Sequence, residues 1–176
     1  MNSKKQVALT HGLNTNSVEV IKSLLKIELS KPLVDEGGDT EWKLPNGDIH
    51  RDYGPAIEWA DGDKSWYQNG NLHREGGPAV EDADGSKQWF KNGECHREDG
   101  PAIEDADGSK YWCKNGKRHR EDGPAVEYAS GYKAWYQNGE KHREDGPAVE
   151  LADGSKQWWI NGIKLSESEF NSRTKK

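Results

Sequence analysis

Residues 96–118 read HREDGPAIEDADGSKYWCKNGKR, and this 23-residue pattern occurs five times in succession. His-Arg recurs at His50, His73, His96, His119 and His142. Gly-Pro-Ala follows each time, beginning at Gly54, Gly77, Gly100, Gly123 and Gly146. A β-branched residue comes next, at Ile57, Val80, Ile103, Val126 and Val149. A tryptophan then recurs at Trp66, Trp89, Trp112, Trp135 and Trp158, and Asn-Gly closes each unit. A partial copy over residues 38–49 precedes them, with Trp42 and Asn46-Gly47. A fixed period of this length is the signature of a repeat architecture.

Each unit carries three turn signals. Asp107-Gly108 and Asn115-Gly116 are the dipeptides favoured in two-residue hairpin turns, and Glu98-Asp99-Gly100-Pro101 marks a bend. The short runs between them have strand character. With Asp84-Gly85 as a two-residue turn, Val80 falls opposite Trp89; with Asn92-Gly93 as another, His96 falls opposite Trp89 on its other side. Side chains alternate between faces, so the expected sheet has a Val/Ile–Trp–His row on one face. The column Tyr67, Phe90, Cys113, Tyr136 and Trp159 lies on the other, either open as an interaction surface or closed into a second core. One unit cannot fold alone. A buried Trp and Val contribute about 6–8 kcal/mol, far less than the roughly 1.5 kcal/mol per residue that ordering the unit costs. Neighbouring units must therefore cover one another, which makes the Trp and Val/Ile positions the expected structural core.

The ends read as caps. Residues 16–29 fit a helix with Asn16 as N-cap and Glu19 three residues on. Its apolar arc, which includes Ile21, Leu24 and Leu25, spans about 200° at 100° per residue. One packing face uses about 100°, so this segment is a candidate contact for a partner or for a second copy in a homo-oligomer. Near the C-terminus, Ser166 and Glu169 fit a capping box, with Leu165 and Phe170 as its hydrophobic staple. The expected fold is mainly β: an elongated antiparallel β-meander repeat array over residues 38–164, between a helical N-terminal segment, residues 1–37, and a C-terminal helical cap and tail, residues 165–176.

Composition narrows the function classes. Only 31% of the 176 residues are hydrophobic and 32% are charged, with a formal net charge of −6. That balance argues against nucleic acid, whose phosphates call for a basic stripe. Eight tryptophans supply the aromatic area a thin core needs. Cys95 and Cys113 occupy different unit positions, so the reading is free thiols in a reducing compartment. No stretch is apolar enough for a signal peptide or a membrane span, and the expected location is cytoplasmic.

The His-Arg-Glu-Asp cluster has the residue types of acid–base catalysis. A catalytic constellation, however, normally occurs once, in one pocket, whereas this cluster recurs down the array, and a structural role is expected. Equivalent histidines stand about 10–14 Å apart, two or three strands at about 4.8 Å each. They cannot share a zinc ion, whose nitrogen ligands sit at about 2.0–2.1 Å. The Asp-x-Asp-Gly runs lack the spacing and distant Glu of an EF-hand. No P-loop, nucleophile elbow or dinucleotide fingerprint is present. Neither enzymatic activity nor any cofactor or metal is expected.

The run from Trp135 to Ala148, WYQNGEKHREDGPA, resembles the MORN-variant repeats of bacterial and phage proteins, and the likeness covers residues 38–164. The resemblance implies hairpins stacked into an elongated, curled sheet, and a role as scaffold, binding module, or antitoxin-like inhibitor acting on another protein. The usual Tyr-x-Gly-x-x-x-x-Gly spacing is absent, so no lipid-binding role is carried over. A second resemblance, to choline-binding and cell-wall-binding repeats, rests on the Trp-Tyr and Asn-Gly hairpins and implies a small-ligand or carbohydrate module with aromatic clefts between repeats. The expectation is a protein that binds another protein, with Tyr67, Phe90, Tyr136 and Trp159 as candidate contacts.

Overall fold

The structure, a computed structural model, describes residues 30–174. The helix expected over residues 16–29, with Ile21, Leu24 and Leu25, lies outside the described residues. Within them the chain is a regular array of antiparallel β-hairpins, and thirteen short strands join into one sheet that does not close into a barrel. The sheet begins at strand β1, Lys31–Val34, which pairs with β2, Thr40–Lys43; it therefore starts inside the segment read as a helical cap. A single helix, α1, Glu167–Thr174, is found among the described residues, after the last hairpin.

Each unit contributes two hairpins. In the third unit the main hairpin pairs Ile103–Glu104 with Lys110–Tyr111. Its neighbours in the sheet come from adjacent units, with Ile103 beside Gln88 and Tyr111 beside Val126. The side hairpin pairs Cys113–Lys114 with Lys117–Arg118 around Asn115-Gly116. Between the two lies Trp112, outside either strand. The strand bends there, and its two halves serve different ladders. Side hairpins stack through bonds such as Gly116 N–H to Cys95 O (3.0 Å) and Arg97 N–H to Cys113 O (3.2 Å).

The two Gly turns are not alike. At Asn115-Gly116 both residues have positive φ, 49° and 73°, as the two-residue type I′ turn requires. His96 consequently stands opposite Trp89, its N–H donating to Trp89 O (3.0 Å). At Asp84-Gly85 only the glycine does (φ 96°). The loop is residues 83–85, closed by Asp82 N–H to Ser86 O (3.0 Å) and Gly85 N–H to Asp82 O (2.9 Å). This is a three-residue loop with a bulge, not the expected two-residue turn. That one extra residue changes the register: Val80 pairs with Gln88 rather than Trp89. A one-residue slip exchanges the faces, so the expected Val–Trp row does not exist. Val80 and Trp89 are on opposite faces.

What is fully buried is smaller than tryptophan. Ala56, Ala79, Ala102, Ala125 and Ala148 are each 0% exposed. Ala102 N–H donates to Tyr111 O (2.7 Å) and its carbonyl accepts from Trp89 N–H (2.8 Å), so the residue is stitched to strands on both sides. Val126 and Val149 are the largest fully buried side chains; Ile57, Val80 and Ile103 are half-buried, as are all of Trp42, Trp66, Trp89, Trp112, Trp135 and Trp158. Tyr136 and Trp159, from side hairpins, pack on the cluster of Val126, Ala134 and Val149 from main hairpins. In the last two units the aromatic column is thus packed onto the Val/Ile row.

At the C-terminal end the capping box forms. Ser166 N–H donates to Glu169 Oε2 (2.8 Å), and Glu169 N–H to Ser166 Oγ (3.3 Å). Leu165 and Phe170 flank it and are both buried. Leu165 takes the place that histidine holds in earlier units, opposite Trp158, and α1 rests on this last hairpin.

Because the alanine methyl fills its site, Ala102→Leu should destabilise the array by about 1–3 kcal/mol, the usual cost of overpacking. Lys110→Ala, on an exposed position, should change stability by less than about 0.5 kcal/mol. Urea denaturation of both variants checks this; equal midpoints would show that the seam has room to spare.

Candidate functional site

The bent sheet has two faces with opposite characters. On one, the register puts Glu and Lys in alternation across the strands: Glu104, Lys110, Glu127, Lys133, Glu150 and Lys156 stand beside one another in order. Trp42, Trp66, Trp89, Trp112 and Trp135 share this face, each under an arginine. Arg97 shows the geometry. Its guanidinium carbon lies 4.0 Å from the centre of the Trp89 ring. Nη1 donates to Pro101 O (3.1 Å) and Glu104 Oε1 (3.0 Å), and Nε to Asp99 Oδ1 (3.1 Å). A Cβ on Gly100 would come within 3.1 Å of the Arg97 guanidinium carbon, so the glycine of Gly-Pro-Ala is there for space. Arg51, Arg74, Arg120 and Arg143 repeat the stack on Trp42, Trp66, Trp112 and Trp135 at 3.7–4.0 Å.

The histidines tie the start of each unit to the turn that closes it. His96 Nδ1 accepts from Asn115 N–H (3.2 Å), while Nε2 faces Glu98 Oε1 (3.0 Å). The same Nδ1 contact recurs at His50, His73, His119 and His142. The residue types of acid–base catalysis are therefore engaged in holding turns. Shallow clefts of about 400, 740 and 600 Å³ lie between successive copies of this cluster. Among the described residues no group of three or more His, Cys, Asp and Glu could hold a metal ion, and no helix is long and apolar enough to cross a membrane.

The opposite face carries the Val/Ile row and four further lines of residues. They are Trp59, Asp82, Asp105, Tyr128 and Leu151; Ser65, Gln88, Tyr111, Ala134 and Gln157; Tyr67, Phe90, Cys113, Tyr136 and Trp159; and Leu72, Cys95, Arg118, Lys141 and Lys164. Contacts across the lines place them together. Tyr111 and Tyr128 meet edge-on at 5.8 Å, Tyr128 stacks with Tyr132 at 4.9 Å, and Leu151 packs on the Val126 cluster. Burial first, and then Asp105 and Tyr128, push the Tyr111 hydroxyl up to about 12. Cys95 and Cys113 are also brought into contact here, across the seam between two units. Their hydrogen bond raises one thiol and lowers the other.

Each of these four lines varies along the array, whereas His, Arg, Gly-Pro-Ala, Glu, Lys, Trp and Asn-Gly are the same in all five. The constant residues make the clamps, turns and ladder, and the four variable lines adjoin on one face. The candidate contacts Tyr67, Phe90, Tyr136 and Trp159 belong to it and are half-buried. The sequence does not reveal the full face, because a two-residue Asp-Gly turn shifts the register by one and puts Val80 and Gln88 on different faces. Neither a protein-family model nor any curated protein matches this chain.

Two outcomes follow. Lysine cannot reproduce the fork and the ring stacking at once, so Arg97→Lys should destabilise by about 1–3 kcal/mol, one or two hydrogen bonds plus a cation–π contact; a loss under about 0.5 kcal/mol in chemical denaturation contradicts the clamp. Acid should also unfold the array. Arg120 and Arg143 hold the Asp122 and Asp145 carboxyls below the ordinary range, and hydrogen bonds from Ser86, Ser109 and Ser155 do so for Asp84, Asp107 and Asp153. A folded-state value below the unfolded one adds stability above the unfolded pKa of about 4 and loses it as pH falls through the folded value. The thermal midpoint should therefore drop between about pH 4 and pH 2. A midpoint that stays level or rises would overturn the assignment.

Proposed function

We propose that this chain is a non-catalytic binding protein whose variable, aromatic-rich face docks on another protein. One observation carries the reading: four adjoining lines on one face, the half-buried aromatic column among them, vary along the array while the Arg–Trp stacks, the Gly-Pro-Ala turns and the Glu–Lys ladder stay the same. The constant positions are held by that packing and bonding, and the four lines are not. Half-buried Tyr, Phe and Trp on a rigid sheet fit that role, because aromatics with arginine dominate protein interfaces. The repeating acid–base cluster supports the non-catalytic part, since its histidines and arginines are bonded into turns. The resemblance to MORN-variant repeats supports the narrower version, an inhibitor or antitoxin-like protein that acts by occupying its target. It also motivates the choice of a protein rather than a small ligand as the partner.

Site-specific photo-crosslinking tests the proposal. Benzoylphenylalanine in place of Tyr67 or Tyr136 should give discrete protein adducts in extracts of the source cells, and the same group in place of Lys87 or Lys110 should give none. Adducts from the Lys positions alone would put the interface on the other face. An absence of adducts together with calorimetric heat from simple sugars would make the chain a ligand-binding module using the clefts beside His96 and His119.

A further inference from the structure

The variable face changes character along the array. In the first two units its outermost line on the side hairpins is Leu72 and Cys95; from the third unit onward it is Arg118, Lys141 and Lys164. On the main hairpins the line runs Trp59, Asp82, Asp105, Tyr128 and Leu151, so its two acids fall in the second and third units. The C-terminal half is thus basic and aromatic, in a chain whose formal net charge is −6.

The three cations lie among rings. Arg118 is 5.9 Å from the Tyr111 ring centre and 5.6 Å from that of Tyr136. Lys141 and Lys164 stand 4.8 and 5.9 Å from Trp159. Among the described residues no carboxylate lies within ion-pair distance of any of them, whereas Arg97, Arg120 and Arg143 each hold two. The clamp arginines are saturated; these three are not. Tyr128 is 40% exposed beside them.

Building on the binding role proposed above, we infer that this half of the face takes an acidic segment of the partner protein, carboxylates on Arg118, Lys141 and Lys164 and an apolar or aromatic anchor against Tyr128 and Tyr136. Unpaired cations on an aromatic floor attract carboxylates at short range, and opposite charge steers the approach. Single-stranded nucleic acid would also use rings and cations. Here, however, Tyr128 and Tyr132 already stack on each other, and the acidic remainder of the chain repels a polyphosphate.

The test uses the full chain and three labelled probes: a random glutamate–tyrosine copolymer, polylysine and oligothymidylate. Fluorescence anisotropy should show the copolymer binding most tightly, with affinity falling as salt rises. The triple variant Arg118→Gln, Lys141→Gln, Lys164→Gln should weaken it at least about tenfold, a difference of about 1.4 kcal/mol. The control Lys64→Gln, Lys87→Gln, Lys110→Gln removes equal charge from the opposite face and should change it less than about twofold, with circular dichroism unchanged in both. An equal loss in the two variants, no copolymer binding at low salt, or tighter binding of oligothymidylate each overturns the inference. Protein adducts at positions 67 and 136 together with any of these results leave the binding role standing and remove only the acidic partner.

Discussion

The arginine laid between a tryptophan ring and a Gly-Pro-Ala turn is the contact on which the array depends. Its guanidinium closes four obligations at once: the exposed side of an indole, a proline carbonyl, the Glu of the Glu–Lys ladder and, in the last three units, an aspartate. Each demand explains a constant residue. The glycine is needed because a Cβ would strike the guanidinium, and the alanine because its backbone is bonded on both sides with no volume left beside it. Among the described residues the largest fully buried side chains are two valines. Stability comes instead from the same modest set of bonds repeated at every seam, which is how a quasi-one-dimensional protein accumulates it.

That arrangement leaves one face free to vary. The Glu–Lys ladder and the Arg–Trp stacks join units, and the His–Asn bonds hold the turn that closes each unit. The Val/Ile row and its flanking lines carry burial, with Val126, Ala134 and Val149 enclosed. The remaining positions vary from Asp to Tyr, Gln to Ala and Leu to Lys without altering the backbone of the unit. A surface that tolerates such change on a fixed scaffold is suited to recognition, and the cations gathered in its C-terminal half give it a direction.

Much of this was legible in the residues. The period, the type I′ Asn-Gly turns, the His–Trp register and the Ser166–Glu169 capping box all follow from local chemistry, and local chemistry decides them. The Asp-Gly loop did not yield to the same reasoning, because Asp-Gly serves two-residue and three-residue loops alike and only φ at the aspartate separates them. Everything that depended on that register was displaced with it: the partner of Val80, the face of Trp89, and the location of the core. The importance of alanine was hidden for another reason. A methyl group signals nothing by hydrophobicity and gains its role only from the strands on either side. Strand β1 was also missed, since Lys31-Pro32-Leu33-Val34 has no alternation and pairs through a turn at Gly37-Gly38 outside the repeat.

If constant residues make the seams, units are interchangeable at their joints, and removing one whole period should leave every remaining seam with its full set of bonds. Deleting residues 119–141 joins Arg118 to His142 and tests this directly. The account predicts a β-type circular dichroism spectrum, one cooperative unfolding transition, and a midpoint only modestly below that of the parent chain. An unfolded or aggregated product, or two separate transitions from the two halves, would show that the seams are not equivalent and that contacts peculiar to the fourth unit hold the array together.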